Sequence, residues 1–260
     1  MRAEKGEEMS VTEHGSERIL IGVGVGPGDP ELVTHKAVRV LSAADVIFVP
    51  DTSQGEGRAE TIILAAYPQA TDKIRRVPFS MAERRGIGPL RTQAWQASAD
   101  AVEQAFLAGA QVIAFATIGD PSVYSTFSYL AAHVCERIPD VRVEVVPGIT
   151  AMQALAAASR IPLVEGQETL TLIPATAGAD RLEKALSYSD CVVVYKVGRH
   201  VKDVVDLLTE QDRYNRAVLG IDVGTPDEHV LPLSEFDADD SPYFSAVLVP
   251  PIRTGTGERL

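Results

Sequence analysis

The stretch Ile19-Leu-Ile-Gly-Val-Gly-Val-Gly-Pro-Gly-Asp-Pro30, near the start of the chain, decides the fold. Its first seven residues are apolar or glycine, a composition that predicts a buried β-strand. The pair Asp29-Pro30 then supplies the two residue types that favour a helix start, an acidic N-cap followed by proline. Apolar residues recur at helical spacing beyond it, so we expect a helix over residues 31–42. A strand, a glycine-rich loop and a helix in this order indicate an α/β fold.

The glycines of this loop also suggest a dinucleotide-binding site, which would make the protein an oxidoreductase. In such a site, free backbone N–H groups at a helix N-terminus hold a pyrophosphate. Here Asp29 would place a carboxylate at that position, and the third glycine of the fingerprint is absent. Because a carboxylate repels a pyrophosphate, a dinucleotide-dependent oxidoreductase is the weaker alternative.

Strand and helix patterns alternate along the first half of the chain. The apolar spacing predicts strands over 45–50, 73–78, 111–117 and 141–146, and helices over 61–66, 92–107 and 122–137. This alternation predicts a mostly parallel sheet that helices cover on both faces.

The pair Pro147-Gly148 interrupts the pattern and marks the predicted boundary between two domains. Beyond it the spacing predicts a helix over 149–159 and strands over 169–173, 191–195, 217–221 and 244–249. The predicted domains cover residues 18–147 and 148–252, with flexible tails at 1–17 and 253–260.

The composition limits the classes of partner. The chain has 24 Lys and Arg against 36 Asp and Glu, a net charge of -12. An acidic protein repels nucleic-acid phosphates and anionic membranes, so we expect neither as the main partner. Apolar runs stay short of the roughly 20 residues that span a bilayer, and we expect a cytoplasmic protein. Cys135 and Cys191 lack metal-ligand spacing, which predicts free core thiols and no metal site.

A second Gly-Asp-Pro segment, at residues 119–121, follows the predicted strand 111–117. Ligands of open α/β sheets bind beyond the carboxyl ends of the strands. Two such loops therefore predict a small-molecule site at this edge, although each aspartate alone also fits a structural role as a helix N-cap.

Three blocks of sequence resemble the signature blocks of the tetrapyrrole methylases, in the family's order and with its spacing. They are residues 24–32, 119–130 and 145–151, and the resemblance extends over about residues 18–250. It implies two α/β domains, each with a mixed sheet flanked by helices, and an active-site trough between them. It also implies S-adenosylmethionine as cofactor, S-adenosylhomocysteine as its product, a polycarboxylate tetrapyrrole as substrate, and a homodimer.

Further segments resemble the subgroup of this family that methylates carbon 20 of precorrin-2. These segments are residues 119–130, 172–176, 195–199 and 242–245. They imply formation of precorrin-3A in cobalamin biosynthesis, with cobalt-precorrin-2 or a uroporphyrinogen-III-type tetrapyrrole as alternative substrates. Residues 220–228 depart from the Glu-Arg-Ala type of sequence that many relatives carry at this strand.

The resemblance also implies which residues contact the cofactor, largely through backbone groups and apolar walls. A neutral adenosine and a sulfonium need no phosphate cradle, which agrees with the acidic loops. The implied contacts come from both domains and are Pro27, Ile118, Gly119, Asp120, Val123, Thr150, Ala151, Val197 and Val223.

The substrate implied by the subgroup sets the remaining chemistry. Its electron-rich meso carbon attacks the sulfonium methyl group directly, so alignment and exclusion of water are the protein's main tasks. Candidates for a general base that removes the carbon-20 proton, each with a structural alternative, are Tyr124, Glu168 and His200.

The acetate and propionate groups of the macrocycle require cations or hydrogen-bond donors. Arginine suits this task because its guanidinium binds a carboxylate through two parallel hydrogen bonds. The candidates for substrate binding are Arg84, Arg85, Tyr124, Lys196 and Arg199.

Overall fold

The computed structural model describes residues 17–51, 57–78, 88–237, 244–255 and 257. The first half contains five strands and four helices in the described residues: β1 (Ile19–Gly24), α1 (His35–Ala43), β2 (Val46–Pro50), α2 (Arg58–Ala66), β3 (Ile74–Val77), α3 (Pro89–Leu107), β4 (Val112–Thr117), α4 (Phe127–Arg137) and β5 (Arg142–Val146). The second half continues with α5 (Ala151–Ser159), β6 (Leu170–Pro174), α6 (Ala179–Tyr188), β7 (Cys191–Tyr195), α7 (Val201–Glu210), β8 (Val218–Ile221), β9 (His229–Pro232) and β10 (Ser245–Val249).

The first sheet has the strand order β3-β2-β4-β1-β5, and each of its pairings is parallel. The mostly parallel sheet predicted from the alternation of strands and helices is confirmed for this half, whereas the mixed sheet implied by the family resemblance was wrong here. The physical reason is that a helix connects every strand to the next, and helical crossovers produce parallel neighbours. Helices α1 and α2 cover one face through residues such as Leu41 and Ile63, while α3 and α4 cover the other through Phe106 and Leu130.

The second sheet has the order β6-β7-β10-β8-β9 and is mixed, as predicted. Strands β6 and β7 are parallel, whereas β10 runs antiparallel to both of its neighbours and β9 runs antiparallel to β8. Helix α5 packs on one face through Leu155, and α6 and α7 pack on the other through Leu186 and Leu208. We did not predict β9, which has only four residues and no fully buried side chain.

Two helices begin later than predicted. Asp29 caps a 3-10 turn over Pro30–Leu32 by accepting the Glu31 N–H at 2.8 Å, and α1 starts afterwards with Thr34 as its N-cap. The helix predicted from residue 122 begins at Phe127. In both segments the Asp-Pro pair starts a turn rather than an α-helix, because an Asx-type hydrogen bond to residue i+2 competes with helix formation.

The remaining predictions concern the two tails, the two cysteines and membrane-spanning helices. Most of the predicted first tail, residues 1–16, lies outside the described part of the chain. Arg253, the first residue of the predicted second tail, pairs through its guanidinium with buried Glu168. Cys191 is buried as predicted, but Cys135 is exposed on α4, so it is not a core thiol. None of the described helices is long and apolar enough to cross a membrane.

Candidate active site

Three loops meet at the carboxyl edge of the first sheet, residues 25–29 after β1, 118–126 after β4 and 147–150 after β5. Gly26 and Gly119 exchange two backbone hydrogen bonds of 2.7 and 3.4 Å. A Cβ added to Gly148 would lie 2.1 Å from the Gly119 carbonyl oxygen, and one added to Gly24 would lie 2.5 Å from the same atom. Backbones this close exclude every side chain, so glycine is required at Gly24 and Gly148.

Asp120 joins two of these loops, residues 118–126 and 147–150, through hydrogen bonds. One carboxylate oxygen accepts the Ser122 N–H at 2.8 Å, and the other accepts the Gly148 N–H at 2.9 Å. Burial of the carboxyl group raises its pKa, but the hydrogen bonds from Ser122 and Gly148 outweigh burial and lower the pKa below its usual value. Asp120 is therefore ionised near neutral pH, and it is not the N-cap of α4.

The charge of the Asp120 carboxylate affects which ligands this end of the sheet can bind. An ionised carboxylate among the three loops repels a pyrophosphate and attracts a cationic group. A Cβ placed on Gly119 would be in ordinary van der Waals contact with the 147–150 loop, 3.9 Å from the Ile149 carbonyl oxygen and 4.0 Å from Cα of Thr150. The ionised carboxylate of Asp120 thus disfavours a pyrophosphate, and with it a dinucleotide, at this end of the sheet.

The start of α5 is joined to the end of β7. Thr150 is the N-cap and forms a reciprocal capping box with Gln153. The Tyr195 hydroxyl accepts the Met152 N–H at 2.7 Å, and burial raises the pKa of this phenol. Thr150 and Ala151, both predicted contacts, therefore lie between the first sheet's loops and the second sheet.

Tyr124 brings the 118–126 loop against the second sheet. Its ring lies 5.8 Å from the Tyr195 ring, and the Lys196 ammonium lies 5.0 Å from the Tyr124 ring centroid. The Tyr124 hydroxyl makes a long hydrogen bond of 3.5 Å to the Leu172 carbonyl. Tyr124 and Lys196 both have a positive φ, of 50° and 58°, a backbone conformation that costs energy for residues with a Cβ.

Protonation states at this contact follow from the surroundings. Partial burial raises the pKa of Tyr124, so its hydroxyl is protonated near neutral pH and acts as a donor. Partial burial and the neighbouring guanidinium of Arg91 lower the pKa of Lys196. The pair thus offers a hydroxyl donor and an ammonium beside the loops.

The remaining predicted cofactor contacts have less free surface. Pro27 is buried, while Ile118 and Val123 are partly exposed in their loops. Val197 is 0% exposed inside the second unit's core, and Val223 is 7% exposed against Leu155. Both backbone groups of Val197 are also bonded within the second unit, its N–H to the Ser245 carbonyl and its carbonyl to the His200 N–H, so the structure does not expose Val197 to a ligand and leaves Val223 only a small exposed fraction.

The predicted catalytic and substrate residues separate into three groups. Tyr124, Lys196, Arg199 and His200 lie on the loops that follow β4 and β7. His200 is placed between Arg199 and Asp203, with its ring nitrogens 3.4 and 3.5 Å from them. Arg84 and Arg85 lie outside the described residues.

Glu168 is placed away from this group. It precedes β6, at the edge of the second sheet opposite to Tyr195, and it accepts hydrogen bonds from Arg253 and from the Glu165 N–H. A buried carboxylate held in this way serves structure, and the structure does not bring it to the other candidates.

Sequence reasoning missed three residues of this region. Tyr195 is the first residue of the segment 195–199 that resembles the subgroup. Its position at the end of β7, next to Lys196, is the signal that could have identified it. Arg58 and Asp222 form an ion pair between the two halves of the chain. These two residues lie 164 positions apart in the sequence, so no local sequence pattern predicts their contact.

Comparison with known proteins agrees with this geometry. The family model of the Tetrapyrrole (Corrin/Porphyrin) Methylases matches residues 19–238. The precorrin-2 C(20)-methyltransferase of Sinorhizobium sp is 37% identical over 237 residues, which cover 89% of this chain and 94% of that protein. The cobalt-precorrin-2 C(20)-methyltransferase of Salmonella typhimurium is 29% identical and covers 88% of this chain and 95% of its own length.

Solved structures share the fold. The uroporphyrin-III C-methyltransferase of Thermus thermophilus, complexed with S-adenosylhomocysteine, superposes with a TM-score of 0.63 at 21% identity, covering 90% of this chain and 92% of that one. The two sheets, the glycine-linked loops and the match of the family model over most of the sequence lead to one conclusion. The chain belongs to the tetrapyrrole methylases.

Proposed function

We propose that this protein transfers a methyl group from S-adenosylmethionine to carbon 20 of precorrin-2 in cobalamin biosynthesis. The observation that carries the proposal is the 37% identity to a precorrin-2 C(20)-methyltransferase over nearly the full length of both proteins. The Asp120-linked loops support it, because they suit a sulfonium cofactor rather than a phosphate-bearing one.

The cofactor site proposed here is a trough between the two sheets. Gly119 and Asp120 form one wall, and Thr150 and Ala151 lie beside them at the start of α5. Ile118 and Val123 supply apolar surface and buried Pro27 packs behind it, while Val223 is the proposed contact from the second unit and Val197 supports the trough from the core. When bound, S-adenosylmethionine supplies an electrophilic methyl group on its sulfonium.

The protein's own contribution is alignment. Carbon 20 of the reduced macrocycle is nucleophilic enough to take the methyl group without a covalent protein intermediate, and a proton then leaves carbon 20. The protonated Tyr124 hydroxyl suits a donor role better than a basic role, and we propose that it exchanges its long bond to the Leu172 carbonyl for one to the substrate. His200 remains the candidate base among the three residues predicted for that task.

The carboxylates of the macrocycle are expected to meet the cations beside the trough. Lys196 and Arg199 follow β7, where they flank the Tyr124 ring and the His200 ring. We propose that these two side chains bind acetate or propionate groups, together with Arg84 and Arg85. The same resemblance carries our expectation of a cytoplasmic homodimer; sedimentation of the purified protein tests the dimer, and fractionation of cells tests the location.

The decisive experiment incubates anaerobically prepared precorrin-2 with the protein and methyl-labelled S-adenosylmethionine. We expect mass spectrometry to detect one added methyl group and NMR to locate it at carbon 20. A parallel reaction with cobalt-precorrin-2 identifies the preferred metal state of the substrate.

The outcomes separate the alternatives. Methylation of uroporphyrinogen III but not of precorrin-2 would replace the proposed substrate within the family. Tight binding of S-adenosylmethionine without transfer to any of these tetrapyrroles would contradict the proposed reaction while leaving the cofactor proposal intact.

A further inference from the structure

Three segments of the two α/β units meet at Arg58, the first residue of α2. Its guanidinium donates a hydrogen bond to the Asp222 carboxylate, which lies in the turn after β8. The guanidinium carbon also lies 3.7 Å from the centroid of the Phe244 ring, next to the start of β10. The Asp222 N–H donates to the Phe244 carbonyl at 2.9 Å. We call Arg58, Asp222 and Phe244 the Arg58 clasp.

The clasp holds one end of a tight turn over residues 222–225. Asp222 has a φ of 49°, in the left-handed region that aspartate and asparagine tolerate better than most residues. Its carbonyl oxygen accepts the Thr225 N–H at 3.0 Å and the Thr225 hydroxyl at 2.8 Å. These bonds make the turn a compact unit whose position follows that of Asp222.

The far end of the turn touches the first glycine-rich loop. A Cβ added to Gly28 would lie 2.7 Å from the Gly224 carbonyl carbon, and one added to Gly224 would lie 3.2 Å from Cγ of Pro27. Pro27 is a proposed cofactor contact, and Val223 lies inside the turn. The clasp therefore fixes a turn that packs directly against the loop of one proposed cofactor contact and contains another.

We infer that Arg58 is a positioning residue: through Asp222 it holds the 222–225 turn against the Pro27 loop and so sets the width of the cofactor site. This inference rests on the proposed function. It also gives a role to the segment whose sequence departs from the Glu-Arg-Ala pattern, because Asp222 stands within that departure and supplies the anion that Arg58 needs.

The size of the effect follows from the exposure of the pair. The side chains of Arg58 and Asp222 are 32% and 21% exposed, so solvent screens part of the attraction. Because the attraction between Arg58 and Asp222 is partly screened, breaking the pair should weaken cofactor binding only moderately. We expect the affinity for S-adenosylmethionine to fall about fivefold.

The test is a thermodynamic cycle of S-adenosylmethionine titrations by calorimetry. The variants are Arg58→Gln, Asp222→Asn and the double variant. Asparagine is chosen because it tolerates the positive φ. Each single change is expected to raise the Kd for S-adenosylmethionine about fivefold, and the double change is expected to add little more, because either change alone already breaks the pair.

Two control variants and the choice of temperature separate a positioning role of Arg58 from a loss of stability. Arg137→Gln removes a guanidinium that pairs with Asp100 and Glu103 within the first unit, and it should leave the Kd unchanged. Titrations run well below the midpoint of thermal unfolding of every variant, so that all molecules are folded. Arg58→Lys keeps the charge and should restore part of the affinity.

The possible failures are distinct. Wild-type protein that does not bind S-adenosylmethionine would refute the proposed function, and the inference with it. Binding by wild type with the same Kd in Arg58→Gln, or additive losses in the double variant, would refute only the inference.

Discussion

Asp120 connects two loops, residues 118–126 and 147–150, through one carboxylate, and its protonation state has a measurable consequence. Its pKa lies below the usual value because hydrogen bonds from Ser122 and Gly148 outweigh the cost of burial. A carboxyl group whose folded pKa is depressed stabilises the fold at pH values above its unfolded pKa, near 4, and loses that contribution as the pH falls through the folded pKa.

We expect Asp120→Asn to lower the free energy of unfolding by about 1–2 kcal/mol at pH 7, because the amide of asparagine cannot accept both backbone N–H groups. Urea denaturation of both proteins at pH 7 and at pH 3 checks this. The difference should shrink at pH 3, where the wild-type carboxyl group also approaches protonation. A difference that is the same at both pH values would contradict the assignment.

The sequence predicted the position of Asp120 at the edge of the sheet but not its partner. Gly148 follows a different strand, and the hydrogen bond between them exists only because β1 lies between β4 and β5. The same limit applies to Val197 and Val223. A sequence block made them candidates for the site, but it did not reveal that both residues are buried in the core of the second unit.

Among the elements, the three glycine-linked loops depend most strictly on sequence. Gly148→Ala would bring a Cβ within 2.1 Å of the Gly119 carbonyl oxygen, so the loops must separate. We expect a loss of about 1–3 kcal/mol in stability, the usual cost of overpacking, together with weaker binding of S-adenosylmethionine.

Thermal unfolding and titration calorimetry measure both effects. Gly255→Ala is the matched control, because a Cβ there would meet nothing within 4 Å. Equal cofactor affinity in Gly148→Ala and wild type would show that the close approach of these loops does not shape the site.

Predictability differed between elements for physical reasons. Strands β4 and β7 were predicted to within one residue because they are continuous apolar runs buried on both faces. Strand β9 was missed because it is short and half exposed, so it lacks a period. The late starts of α1 and α4 were missed because an Asp-Pro pair suits a 3-10 or Asx turn as well as a helix cap.

At the scale of the whole molecule, the two α/β units touch through loops that belong to the proposed cofactor site. A ligand that binds only the folded state at 100 times its Kd stabilises it by about 2.7 kcal/mol. Because Tyr124 and Gly28 both contact the second unit, we expect S-adenosylmethionine to protect backbone amides in both units.

Hydrogen exchange followed by mass spectrometry checks this expectation. Peptides that cover residues 118–126 and 222–225 should exchange more slowly with S-adenosylmethionine. Peptides that cover residues 165–169, at the opposite edge near the Glu168–Arg253 pair, should change little. Protection confined to the first unit would contradict a trough with two walls.

The placement of β10 affects how the protein is made. It is the last strand in the described part of the chain, yet it lies in the middle of the second sheet, between β7 and β8. On a translating ribosome the first sheet can be completed as soon as β5 emerges, whereas the second stays divided into two pairs of strands until residues 245–249 appear. During that interval the nascent chain carries two open strand edges, at β7 and β8, which are surfaces that chaperones bind and that aggregation exploits.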